Sequence, residues 1–270
     1  MNYSLVLFII LFLTACSFYL HYHKIMVNKI CNNPDNLDVR TFSSEVPGKT
    51  VLLLGGIHGN EPAGSVYLQQ LTNDLTNKKI ALKSGKLIIV PRVNPCGLNL
   101  DKRSIMFVGD LNRKFPYNLN YKNYKKYKTK NIPNFILELV LKSDFVVDFH
   151  EGYSWHSTNP LSVGSTLSPS ENDLPINISV EVVKNLNQKI IDNKKKFMIC
   201  TYQDNLINTN QEIFTNKVDY KGTLSNFCDI IKKDYILVET TGQNNIQPLE
   251  LRLKQCDLIT NKILKKLRLL

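Results

Sequence analysis

The sequence predicts an α/β fold: a mixed, mostly parallel sheet with helices on both faces, preceded by one N-terminal transmembrane helix. Three observations predict it. Short apolar runs alternate with stretches of helical periodicity along most of the chain. Polar side chains of ligand type stand at the ends of those runs, the edge where open α/β sheets place their sites. The first twenty or so residues are almost wholly apolar. A length of 270 residues suits one domain with a sizeable core. The predicted division is an anchor and juxtamembrane segment over 1–30 and one α/β domain over 31–270, with no internal repeat or linker.

In chain order, residues 3–22 begin and end with tyrosine and have the length of about 20 residues that a bilayer requires. No Lys or Arg precedes them, so the basic leader of a cleaved signal peptide is missing. The segment reads as a single-pass anchor, and Lys24 and Lys29 behind it favour a cytoplasmic catalytic domain. Residues 13–16 (LTAC) resemble a bacterial lipobox, again without the basic leader. Residues 31–49 form a polar lead-in. Residues 51–54 (VLLL) read as a buried strand ended by Gly55-Gly56. Pro62 suits a first helical position, and a helix follows over 63–75. Residues 86–91 (KLIIVP) are a second strand, and Asn94-Pro95-Cys96-Gly97 is a turn. A helix over 132–142 leads into a buried strand, 144–149 (DFVVDF). Then come a helix over 178–193, a short strand over 197–200 and a helix over 223–232. A strand over 235–238 (YILV) precedes a long closing helix over 248–269.

The formal net charge is +11, but of 34 basic residues only six are Arg. Nucleic-acid binding calls for clustered Arg with interleaved aromatics. The nearest stretch, 121–128 (YKNYKKYK), reads as a solvated loop, so no nucleic-acid partner is predicted. The six Cys, at 16, 31, 96, 200, 228 and 256, contain no C-x-x-C pair and signal neither a Cys-type zinc site nor a disulfide framework. Cys228 and Cys256 fall in apolar helical patterns and read as buried thiols.

Chemistry concentrates at three strand ends. His58 and Glu61 lie three apart in the turn after the first strand, where they can share one Zn²⁺. Alone, that pair equally fits a polar turn whose Glu caps a helix. His150 ends the strand 144–149, and Glu239 ends the strand 235–238. Three of the six Arg (Arg92, Arg103, Arg113) fall within 22 residues. A guanidinium fork grips a carboxylate bidentately, which Lys cannot do, so this cluster suggests anion recognition or oxyanion stabilisation. Arg92 directly follows a strand and also suits surface pairing. Glu151 and His156, just after His150, read as supporting or surface residues.

Together and in order, Gly55-Gly56-Ile57-His58-Gly59-Asn60-Glu61, Asn94-Pro95-Cys96-Gly97, Arg103, Asp110-Leu111-Asn112-Arg113-Lys114-Phe115-Pro116, Asp148-Phe149-His150 and Val238-Glu239 resemble the zinc carboxypeptidase superfamily. Within it they are similar to the succinylglutamate desuccinylase/aspartoacylase branch. The resemblance implies one Zn²⁺ per chain, bound by His58, Glu61 and His150. It implies Glu239 as general base, Arg103 as carbonyl polariser, and Asn112 with Arg113 as a clamp on a substrate carboxylate. Relatives on the carboxypeptidase side also use a mobile Tyr; Tyr220 is the first candidate here and Tyr202 the second. Two His and one Glu leave a fourth zinc position open, the layout of a catalytic site. The expected function is a zinc-dependent hydrolase cleaving an amide bond next to a carboxylate, as a deacylase of an N-acyl amino acid. The alternatives are a metallocarboxypeptidase acting on peptide C-termini and an inactive relative that binds anions or peptides. Expected partners are a small anionic substrate or peptide C-terminus, and the membrane through residues 3–22.

Overall fold

The computed structural model describes residues 3–117, 130–201, 213–215 and 220–270; the lysine-rich stretch 121–128 and Tyr202 lie outside them. The chain runs α1 (Tyr3–Cys31), β1 (Arg40–Ser43), β2 (Thr50–Gly55), α2 (Pro62–Thr76), β3 (Lys86–Val90) and α3 (Pro95–Leu100). It continues through α4 (Ile132–Lys142), β4 (Phe145–Gly152), β5 (Thr166–Pro169), α5 (Asp173–Asn187), β6 (Met198–Thr201) and β7 (Ile213–Thr215). It closes with α6 (Leu224–Ile230), β8 (Asp234–Thr241) and α7 (Leu249–Lys266).

Among the described residues, eight strands form one sheet in the order β1-β3-β2-β4-β8-β5-β6-β7. Pairing is parallel except at β1/β3 and β5/β8. The mixed, mostly parallel sheet expected from the sequence is therefore present. The central strands are buried along nearly their whole length, as near-continuous apolar runs require when helices cover both faces. Alternation along each strand divides the core. Val51, Leu53, Phe145, Val147, Phe149, Ile236 and Val238 pack with α2, α5 and α7. Leu52, Leu54, Val146, Tyr235 and Leu237 pack with α4 and α6 on the other face. From β2 the chain crosses to β3 on one side, and β4 lies on the other, so a crevice opens beyond the carboxyl ends of β2 and β4.

Several expectations change. The turn at 94–97 opens the short helix α3, capped by Asn94, whose Oδ1 accepts the Gly97 N–H at 2.9 Å. The helix expected over 178–193 is α5, which starts earlier because Pro175 is tolerated in a first turn. Strand β1 lies in the stretch read as a polar lead-in; it is an exposed edge strand and carries no run of buried residues. The cysteine reading is corrected as well. Cys31 and Cys96 form a disulfide across 65 residues of sequence, with Cα atoms 5.6 Å apart. Such a pair leaves no short spacing to read, because packing brings the two residues together. Cys228 and Cys256 are buried free thiols, as expected.

Helix α1 is long and apolar enough to cross a membrane over Val6–Cys31. Its end docks on the domain: Val27 and Cys31 pack against the core face that α4 and α6 cover.

Candidate active site

The turn after β2 is held open by a close approach of two loops. A Cβ on Gly59 would lie 2.0 Å from the Gly97 carbonyl carbon, so only glycine lets the α3 turn pack there. Asn94 ties the same loops, its N–H donating to Gly56 O at 2.9 Å and its Nδ2 to Ile57 O at 3.3 Å. Pro62 then starts α2, which leaves Glu61 at the N-cap position with its side chain turned to His58 rather than to the helix.

His58, Glu61 and His150 come together with one ligand atom each, all within 4.8 Å of one another and all buried. Glu61 Oε1 is 2.9 Å from His58 Nδ1, and Oε2 is 2.8 Å from His150 Nδ1. The two Nδ1 atoms are 3.0 Å apart. Each ring is fixed from behind by a carboxylate: Asp110 Oδ1 is 3.2 Å from His58 Nε2, and Asp148 Oδ2 is 3.1 Å from His150 Nε2. With a cation bound, donation from each Nε2 to its carboxylate would leave both Nδ1 lone pairs, beside the Glu61 oxygens, free to face the same ion. Two imidazole nitrogens and a carboxylate converging in this way suit a divalent cation, and the donor set fits zinc.

Charges in the site are strongly coupled. Burial would raise the Glu61 carboxyl, but the neighbouring His58 and His150 hold it below the usual carboxylate range. Burial would lower the His150 imidazole, but Asp148 and Glu61 raise it well above its usual value. The field that favours a proton there also favours a metal ion. Burial would raise Asp110 too, but the hydrogen bond and charge of His58, the Arg103 guanidinium and the Asn112 N–H together hold it below the usual carboxylate range.

Parallel pairing places Glu239 of β8 directly beside His150 of β4. Glu239 is buried, and its Oε2 has no hydrogen-bond partner. Burial raises its carboxyl well above the ordinary value, helped by Glu61 and Asp148 and opposed by His150 and Arg103. Arg103 Nε donates to Asp110 Oδ2 at 3.1 Å and its Nη1 to Glu61 Oε1 at 3.4 Å. Asn112 Oδ1 accepts the Leu224 N–H at 2.9 Å, and Asn112 O accepts from Arg113 Nη1 at 2.8 Å. Burial raises the Tyr220 phenol, with Asp229 adding.

One cavity of about 330 Å³ is lined by all eight residues singled out from the sequence: His58, Glu61, Arg103, Asn112, Arg113, His150, Tyr220 and Glu239. Arg92 is not among them; its Nη2 donates to Asn99 Oδ1 at 2.5 Å. Nor is His156, whose Nδ1 bonds Ser162 O at 2.7 Å. Glu151, read as a supporting or surface residue, lines the cavity, and residues without an assigned part also meet here. Asp148 was legible in principle, two residues before His150 on the same strand face. Glu151, Gln243 and Arg252 converge from β4, the loop after β8 and α7, and no local spacing links them.

Residues 47–170 match the family described as the succinylglutamate desuccinylase/aspartoacylase catalytic domain. Over that segment, somewhat less than half of the chain, the protein is similar to the succinylglutamate desuccinylase/aspartoacylase catalytic domain. The matched segment contains both His and the Glu of the cluster. Over 126 residues it is 33% identical to the N-alpha-acetyl-L-2,4-diaminobutyric acid deacetylase of Halomonas elongata, covering 46% of this chain and 34% of that one. Two solved folds are similar. Apo Cell Shape Determinant protein Csd4 from Helicobacter pylori has a TM-score of 0.64 at 17% identity, over 87% of this chain and 55% of that one. A succinylglutamate desuccinylase from Silicibacter sp. TM1040 has a TM-score of 0.58 at 17% identity, over 87% of this chain and 61% of that one. The chain thus spans about a third of the deacetylase's length and somewhat more than half of the solved chains.

Proposed function

We propose that this chain is a zinc-dependent hydrolase that cleaves an amide bond beside a carboxylate, removing the acyl group from an N-acyl amino acid. The observation that carries this reading is the convergence of His58, Glu61, His150, Glu239, Arg103 and Arg113 on one cavity. Zinc bound by the cluster supplies Lewis acidity, polarising the scissile carbonyl and lowering the pKa of water from about 15.7 towards 7. The other steps fall to the chain's own side chains. Glu239, with an unpaired buried oxygen and a raised proton affinity, takes the proton of the attacking water and hands it to the leaving amine. General acid–base help of that kind is worth ~10²–10⁴-fold. Arg103, held between Asp110 and Glu61, stabilises the oxyanion, worth ~3–4 kcal/mol for comparable donors. Asn112 has committed its oxygen to Leu224 N–H, so its amide N–H₂ is what it offers the substrate carboxylate beside the Arg113 fork. The Halomonas relative is named as a deacetylase of an N-acetylated amino acid, which supports the acyl-group reading.

A carboxypeptidase reading has its own support. Tyr153 and Leu161 line the cavity while 40% and 83% exposed, an apolar rim that suits a peptide extending beyond the pocket. Similar folds include a tripeptide-bound Csd4 and an mDAP-bound Csd4 described as a D,L-carboxypeptidase.

The chain is anchored through residues 3–22 of α1. Lys24 and Lys29 favour a cytoplasmic domain, but the Cys31–Cys96 disulfide supports the opposite side, because disulfides persist in oxidising compartments.

The test is zinc analysis of the detergent-solubilised full-length chain, then a hydrolysis screen. N-acyl amino acids are compared with peptides whose C-termini are free or amidated. Turnover of N-acyl amino acids supports the deacylase reading. Cleavage of free-ended peptides alone replaces it with the carboxypeptidase. A zinc-loaded chain that turns over neither leaves the anion-binding relative.

A further inference from the structure

We infer that Gln243 is a positioning residue for the ligand carboxylate of Glu61, braced by the buried Glu151–Arg252 ion pair, so that helix α7 is part of the metal site. The inference rests on the metal reading of His58, Glu61 and His150. Glu61 is the one ligand of the three whose side chain can rotate away from a metal while keeping its charge. Its orientation therefore depends on what holds each oxygen. Oε1 accepts from Gln243 Nε2 at 3.0 Å, and Oε2 accepts from the Glu151 N–H at 3.1 Å. Gln243 is itself fixed: its Nε2 also donates to Glu151 O at 2.5 Å, and its Oε1 is 3.4 Å from Asn60 Nδ2. Alongside the longer contact from Arg103, these two donors to Glu61 both run through Glu151.

Strand alternation explains why Glu151 is rigid. His150 points to the site, so Glu151 points to the opposite face of the sheet, towards α7. There its Oε1 accepts the Ala63 N–H at 2.5 Å, in the first turn of α2 and two residues beyond Glu61. Its Oε2 is paired with Arg252 Nη1 of α7. Both side chains are almost completely buried, at 1% and 3% exposure. Gly242 packs directly on this pair: a Cβ there would lie 1.5 Å from Glu151 Oε2 and 2.4 Å from Arg252 Nη1. The residue before Gln243 is therefore pinned to the ion pair, and Gln243 is delivered to Glu61 at a fixed height. A buried charge pair is a costly way to stabilise a fold, and one side chain of this pair spends its backbone on a metal ligand. Partners of this kind, one bond removed from the metal, typically change metal affinity ~10–100-fold when lost.

The test measures zinc affinity of the full-length chain by competition with a chromophoric chelator, for the native protein, Gln243→Leu, Arg252→Lys and the double variant. Thermal unfolding of the chelator-treated proteins is recorded in parallel. Gln243 is half-exposed, so Gln243→Leu should leave metal-free stability unchanged and weaken zinc about tenfold or more. Arg252→Lys keeps the charge but shortens the reach, and should weaken zinc less. The double variant should lose less than the product of the two, because both act through Glu61. Zinc affinity of Gln243→Leu within twofold of native would overturn the inference. A native chain that binds no zinc would instead overturn the metal reading on which it rests.

Discussion

In the proposed function, Arg113 is the residue on which substrate charge would turn. It lines the cavity beside Asn112, in a chain that uses Arg only six times against 34 basic residues. If it grips the substrate carboxylate with both arms, amidating that carboxylate should cost ~1.5–3 kcal/mol in kcat/KM, the worth of a charge-assisted hydrogen bond. Arg113→Lys should erode the preference for acid over amide substrates, because a point charge cannot reproduce the fork. Equal turnover of acid and amide forms by the native chain would rule the clamp out. At this scale the sequence was highly legible. His58, Glu61, His150 and Glu239 sit at or just after strand ends, which local pattern reveals, while Arg103, Asn112, Arg113 and Tyr220 lie in the connections that follow α3 and precede α6, and their roles were named through the family resemblance. Glu151 was named as a supporting or surface residue, but its partners Gln243 and Arg252 were not, since their meeting depends on where α7 docks and leaves no trace in spacing.

Elements follow the same division. The buried strands β2, β3, β4 and β8 show as apolar runs because both their faces are covered. Strand β1 does not, because an exposed edge carries polar residues. Helix α6 carries a testable consequence of its packing. Burial, with the charge of Glu171, pushes the Asp229 carboxyl from 3.8 to about 7. An acid with a raised pKa in the folded state binds its proton more tightly there than when unfolded. Its contribution is therefore fully present below pH 3.8 and is lost as pH rises towards about 7. Asp229→Asn should remove that loss: its Tm should exceed the native value at pH 8 and match it near pH 3.5. A native-minus-variant difference that does not change between those two pH values would refute this account of α6.

For the whole molecule, helix α1 and the α/β domain are one covalently closed unit. The Cys31–Cys96 bond ties the end of α1 to α3, and α3 packs on the turn that carries His58. Two lysines after a helix are visible locally and favour the cytoplasmic side, whereas a disulfide across 65 residues leaves no trace in spacing and supports the other side. If the domain lies on the oxidising side, alkylation of intact cells followed by mass spectrometry should find Cys31 and Cys96 unmodified and linked. An impermeant protease should also cleave the domain without lysis. Free, alkylated Cys31 and Cys96 would return the domain to the cytoplasm.

The central claim is that this cavity performs hydrolysis rather than binding alone, and Glu239 tests it most directly. Its neighbour across the sheet is a metal-cluster residue, its Oε2 has no partner, and its raised proton affinity suits a base. Glu239→Gln keeps the shape and removes the basicity. Measured on the preferred substrate, with zinc content and unfolding temperature recorded alongside, the variant should remain folded and zinc-loaded while kcat falls by at least ~10²-fold. KM should change little, because the residue acts in the transition state. A folded, zinc-loaded Glu239→Gln chain with kcat within about tenfold of native would contradict the mechanism.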